Sequence, residues 1–166
     1  MSALRRSDTG GESAGEEARA AGAGMIKFLL LVNKQGQTRL ARYYEQGELS
    51  GEDRTVQEAD IVRKCLMRGE QQCSFFEYRG YKIAYRRYAS LFFVVGADED
   101  ENELAVLEFI HALVETLDRH FDNVCELDIM SQLDKAHYIV DEMLANGFVM
   151  EMNKNIVLEP LAALEK

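Results

Sequence analysis

Residues 25–44, MIKFLLLVNKQGQTRLARYY, decide the fold. The apolar run Phe28 to Val32 ends at Asn33, a glycine-containing stretch follows over residues 34–37, and a second β-favouring run begins at Thr38. Two such runs around a short turn with glycine read as a β-hairpin, with strands over residues 25–33 and 38–44. The turn and second strand carry Lys34, Arg39 and Arg42 and no acid, in a chain whose formal net charge is −10. That local excess of positive charge asks for a local purpose.

Upstream of the hairpin the composition changes. Eleven of residues 1–24 are Gly or Ala, and none is aromatic. A segment that buries so little apolar surface does not offset its ordering entropy. The expected organisation is a disordered extension over 1–24 and one domain over 25–166.

Downstream, a helical pattern over residues 52–68 places Val56, Ala59, Val62 and Leu66 on one stripe. Three β-rich runs follow, over 73–78, 81–85 and 89–95, the first two joined at Arg79 and Gly80. Residues 103–121 read as a helix with Leu107, Ile110, Val114, Leu117 and Phe121 inward. Carboxylates over 98–102 suit the positive end of its dipole. A third helix is predicted over 131–146, with Gly147 at the C′ position, and Pro160 falls in a short terminal segment. The order β-β-α-β-β-β-α-α predicts an α+β fold, one five-stranded antiparallel sheet covered by helices.

The chain has 166 residues, 47% apolar and 29% charged, enough for one core of ordinary composition. Its acidity argues against nucleic acid as a partner, because phosphate contacts need a basic footprint. Three widely spaced cysteines, Cys65, Cys73 and Cys125, suit reduced cytoplasmic thiols better than a disulfide framework. No apolar run reaches transmembrane length, and residues 28–32 are too short for a signal-peptide core.

Motifs with chemical meaning are weak. Gly11 to Gly15 matches a serine nucleophile elbow but lacks the strand and helix that expose such a serine. Asp98, Asp100 and Asn102 mimic the start of a calcium loop, yet Glu103 stands where glycine is needed and Phe109 where a bidentate Glu is needed. His111, His120 and His137 lack zinc spacing, and His111 reads as a core or edge residue with a satisfied hydrogen bond. No enzyme activity, metal or cofactor is expected. The run from Ala89 to Val95 alternates so that Ala89, Leu91 and Phe93 share one face and Ser90, Phe92 and Val94 the other. Both faces are apolar, as in a central strand covered on two sides, and Arg86 and Arg87 before it read as a solvated pair.

Four stretches together carry a resemblance: residues 25–40 (MIKFLLLVNKQGQTRL), 85–91 (YRRYASL), 100–104 (DENEL) and 124–129 (VCELDI). They resemble the sigma, or small, subunits of heterotetrameric adaptor complexes, over essentially all of 25–166. Residues 32–39 and 93–96 are most similar to the fourth adaptor complex, while 124–129 fits the first complex equally. Residues 131–133 (SQL) depart from the Asn/Phe-containing stretch common in the family.

The resemblance implies a longin-like fold and a non-enzymatic subunit that stabilises the core of a complex in vesicle-mediated protein transport. It implies a large partner subunit, epsilon-like for the fourth complex, with beta and mu subunits completing the heterotetramer. The chain would be cytoplasmic and peripheral, reaching trans-Golgi network or endosomal membranes only through that complex. It also implies a site for cargo tails with acidic dileucine signals. The matching residues are Ala89, Leu91 and Phe93 on a strand, Val114 on the long helix, and Asn123, Val124, Leu127 and Ile129 after it, with Arg39 facing the acid of the signal. A guanidinium beside an apolar slot suits that ligand. The alternatives are a sigma subunit of another clathrin-associated complex, the coatomer zeta subunit, or a free-standing longin regulator of a GTPase or SNARE.

Overall fold

A computed structural model of the chain describes residues 26–44, 51–69 and 74–164. The expected extension over 1–24, with its serine motif, and Cys73 lie outside the described residues. The hairpin is present as β1 (Ile26–Asn33) and β2 (Thr38–Tyr43). Then come α1 (Gly51–Met67), β3 (Phe75–Tyr78), β4 (Tyr81–Tyr88) and β5 (Leu91–Asp98). The helices α2 (Glu103–Phe121), α3 (Glu126–Ser131) and α4 (Leu133–Met143) follow. The described chain finishes with β6 (Leu144–Ala145), β7 (Phe148–Val149) and α5 (Lys154–Leu164).

The five long strands form one antiparallel sheet in the order β2-β1-β5-β4-β3. Strand alternation sorts its two faces. Leu29 and Leu31 of β1 and Leu91, Phe93 and Val95 of β5 join Phe109, Leu113 and Leu117 of α2 and Ile139 and Val140 of α4 in one core. Phe28, Leu30 and Val32, with Val94 of β5, pack instead against Ile61, Val62 and Cys65 of α1. Both faces of the central strands are therefore covered by helices, the α+β layering expected from the pattern.

Several boundaries differ from expectation. β4 runs on to Tyr88 and β5 begins at Leu91, so Ala89 is not a strand residue. It opens the two-residue turn between them at φ 53. The α1 stripe is also shifted: Val56 and Ala59 are exposed, and Ile61, Val62 and Cys65 turn inward. The predicted third helix stops at Met143, and Gln132 (φ −130, ψ 48) separates α3 from α4. Gly147 is no helix cap. With Asn146 (φ 51) it forms the turn of the β6–β7 hairpin at φ 87, the paired positive φ that a primed hairpin turn requires. Its carbonyl accepts from Ile26 N at 2.7 Å, tying this hairpin to β1. The short terminal segment with Pro160 is a helix, α5.

At Gly96 of β5 the sheet admits a ring. A Cβ placed there would lie 2.1 Å from Phe28 Cε1, so glycine lets the buried Phe28 side chain cross the neighbouring strand.

Candidate functional site

The site begins with Asn33, at the last position of β1. Its side-chain oxygen accepts from Gln35 N (3.0 Å) and Gln37 N (2.9 Å), fixing the turn. Its amide nitrogen donates to Gln37 Oε1 (2.9 Å) and to Glu126 Oε1 (2.8 Å), at the start of α3. Two residues into β2, Arg39 donates from Nε to the same Glu126 oxygen at 2.7 Å and from a terminal nitrogen to Gln37 Oε1 at 2.9 Å. Asn33 is 2% exposed. Four side chains from the hairpin and α3 thus close one polar cluster, and its hydrogen bonds hold the Glu126 carboxyl below its ordinary value, with Asn33 the larger cause and Arg39 the next.

Beside this cluster, the α2–α3 connection is pinned from both sides. Asp118 accepts from Tyr88 OH at 2.7 Å and from Val124 N at 3.1 Å. Asp122 and Asn123 take left-handed backbone, φ 55 and φ 68, which turns the chain sharply enough to drop Val124 into the core. Asp128 then accepts from Cys125 N at 3.0 Å, opening α3 and setting Ile129 inward.

Among the residues predicted for the signal site, Leu91, Phe93, Val114, Val124 and Ile129 come together in the core shared by β5, α2 and α3. Leu91, Phe93 and Ile129 are 0% exposed, so these side chains are closed to solvent as core residues. The other three do not join it. Ala89 is exposed in its turn, Asn123 is exposed on the loop, and Leu127 is 73% exposed. Arg39, expected to face the acid of a signal, is paired with Glu126 at 2.7 Å. Glu126, Asn33 and Gln37 were missed as site residues. Asn before a glycine turn and Glu at a helix start were the available signals, but neither said that the two would meet.

The remaining cations of the hairpin divide. Lys34 is exposed, and Arg42 is ion-paired to Asp141 of α4. His111 is exposed rather than core, with Nε2 2.9 Å from Glu115 Oε1 and Nδ1 3.4 Å from Arg86. The calcium-like stretch serves structure: Asn102 caps α2 by accepting from Leu104 N at 2.9 Å, and Asp98 pairs with Lys27 at 3.3 Å. Among the described residues, no three His, Cys, Asp or Glu side chains are grouped to hold a metal ion. No described helix is long and apolar enough to cross a membrane.

A model of the clathrin adaptor complex small chain matches residues 25–166. The chain is 62% identical over 141 residues to the AP-4 complex subunit sigma of Arabidopsis thaliana, covering 85% of this chain and 97% of that one. It is 53% identical over 142 residues to the AP-4 complex subunit sigma-1 of Homo sapiens, covering 86% and 97%. A chain from a homology model of the full-length AP-3 complex in a stretched open conformation superposes with a TM-score of 0.67. That match is 27% identical and covers 85% of this chain and 94% of that chain.

Proposed function

The chain belongs to the clathrin adaptor complex small-chain family, and on that premise we propose that it recognises acidic dileucine sorting signals on cargo tails. It is a small adaptor subunit of vesicle-mediated transport, assembling with other adaptor subunits in a heterotetramer. In the proposed assembly the large partner is epsilon-like, beta and mu subunits complete the tetramer, and the complex works at trans-Golgi network or endosomal membranes. The subunit's role there is to bind, without catalysis.

The observation that carries the reading is the Arg39–Glu126 pair, set at the edge of the apolar core that contains Leu91, Val114, Val124 and Ile129. Glu126 occupies Arg39 as the acid of a signal would. In the proposed mechanism the signal's carboxylate replaces Glu126 on the guanidinium, while two leucines enter between β5, α2 and α3. Each leucine buried gains roughly 1.5–3 kcal/mol of transfer free energy, which has to exceed the cost of separating side chains that now pack on one another. The closed slot is the resting state of this mechanism.

Calorimetry on the assembled complex tests it, with a peptide carrying Glu four residues before Leu-Leu. Binding is expected, and Leu-Leu→Ala-Ala in the peptide abolishes it. Arg39→Glu weakens the Glu peptide more than an Ala version, and added salt narrows that gap. Val114→Asp removes binding of either peptide because a carboxylate is planted in the slot. Equal heats for Leu-Leu and Ala-Ala peptides would show that the slot is core packing alone.

A further inference from the structure

Tyr88 closes β4 and pairs with Leu91, the first residue of β5, across a two-residue turn. Its half-buried ring packs against the core that holds Leu91, Phe93, Val114 and Val124. Its hydroxyl donates to Asp118 Oδ1 at 2.7 Å. That hydrogen bond, with desolvation adding to it, lifts the hydroxyl above its ordinary pKa, so Tyr88 stays a donor.

Asp118 lies one helical turn beyond Val114 on α2. The oxygen that accepts from Tyr88 also accepts from Val124 N at 3.1 Å. The Asp118 carbonyl accepts from Asn123 N at 3.2 Å and from Asp122 N. Two consecutive non-glycine residues in left-handed backbone, Asp122 and Asn123, persist only where their surroundings over-determine them. Asp118 supplies that constraint through both its backbone and its side chain. One residue therefore ties together the β4–β5 turn, α2 and the α2–α3 connection. These elements carry three walls of the proposed signal slot. β5 brings Leu91 and Phe93, α2 brings Val114, and the connection brings Val124.

Resting on the dileucine reading above, we propose that Tyr88 and Asp118 are positioning residues that set the spacing of the slot walls and so favour leucine over bulkier apolar side chains. Neither has to touch the ligand. In that reading leucines enter by separating walls that pack on one another, and the bonds to Asp118 limit how far the turn and the connection move from α2. Interiors are packed closely enough that a small displacement decides which side chain fits. Apolar pockets discriminate by volume on the scale of roughly 10–200-fold per methylene. Without the Tyr88 hydroxyl the turn is released from Asp118, and the slot yields to a larger pair.

Calorimetry on the assembled complex tests this with two peptides, one carrying Glu four residues before Leu-Leu and the other before Phe-Phe. The parent is expected to favour Leu-Leu on the order of tenfold or more. Tyr88→Phe, which keeps the ring, narrows that ratio to about a few-fold, and Asp118→Ala narrows it as far. The double variant is no worse than Asp118→Ala alone, because Tyr88 acts through Asp118. The conservative Asp118→Asn rescues the ratio, since its side-chain oxygen still accepts. Arg39→Ala weakens both peptides alike. A purely structural role would lower both affinities together and leave the ratio where it was. An unchanged ratio in Tyr88→Phe, additive effects in the double variant, or a parent that binds Leu-Leu and Phe-Phe equally overturns this proposal and spares the dileucine reading. Equal heats for Leu-Leu and Ala-Ala peptides on the parent complex overturn both.

Discussion

Arg39 and Glu126 are 87 positions apart in the chain, yet one carboxylate oxygen serves both Arg39 and the buried Asn33. The lowered pKa of Glu126 makes the cluster a stability term with a definite sign. A carboxyl whose folded pKa is depressed stabilises the fold fully above its unfolded value. That stabilisation is lost as pH falls through the folded value. Thermal melts across the acid range should therefore show Glu126→Gln less stable than the parent at neutral pH, with the two curves converging in acid. Parallel curves would mean that the pair adds nothing to the fold. The same variant tests the mechanism, because Arg39 without its internal partner should bind the acidic dileucine peptide on the order of a few-fold more tightly, the scale of a solvent-edge ion pair.

The elements carry their own strains. Ala89 holds a left-handed φ of 53 at the β4–β5 turn, where a Cβ is disfavoured. Ala89→Gly should relieve this and raise unfolding free energy by about 1 kcal/mol in denaturant titrations. Gly96 is the reverse case. A methyl there meets the Phe28 ring at 2.1 Å, so Gly96→Ala should cost roughly 1–3 kcal/mol as an overpacked core position. Phe28→Leu should recover part of that loss, and the double-mutant cycle will be non-additive because the two positions touch. Additive effects would locate the cost of Gly96→Ala in the backbone.

Across the whole molecule, both sheet faces are occupied, and the apolar surface left over gathers outside the sheet. Leu127 (73% exposed), Met130 (49%) and Leu133 (38%) follow one another at three-residue spacing through α3 into α4. On a subunit of a larger assembly, a run of exposed apolar residues is a candidate contact surface. Leu127→Ser with Met130→Ser should lower recovery of this chain with its partner subunits in co-purification. Its own melting temperature should hardly move, because these side chains contribute little burial to the isolated fold. Unchanged recovery would leave that surface outside the assembly contacts.

The hairpin, the α+β class and the doubly apolar central strand were legible in the sequence because each depends on local order: alternation with period two, and glycine beside a short turn. Of the residues proposed for the signal site, Leu91, Phe93, Val114, Val124 and Ile129 do share one core. Local pattern was ambiguous where two motifs need the same conformation. Gly147 satisfies a helix C′ position and a hairpin turn alike, since both require positive φ, and only the pairing of Leu144 with Val149 chose between them. Ala89 looked like a strand residue because alternation continues through a two-residue turn without a change in polarity. What no periodicity holds is the docking of one element on another. Sequence gives the face on which a side chain lies, but its partner is set by how the layers pack. Tertiary structure alone therefore put Glu126 on Arg39 and buried Leu91, Phe93 and Ile129 in one core.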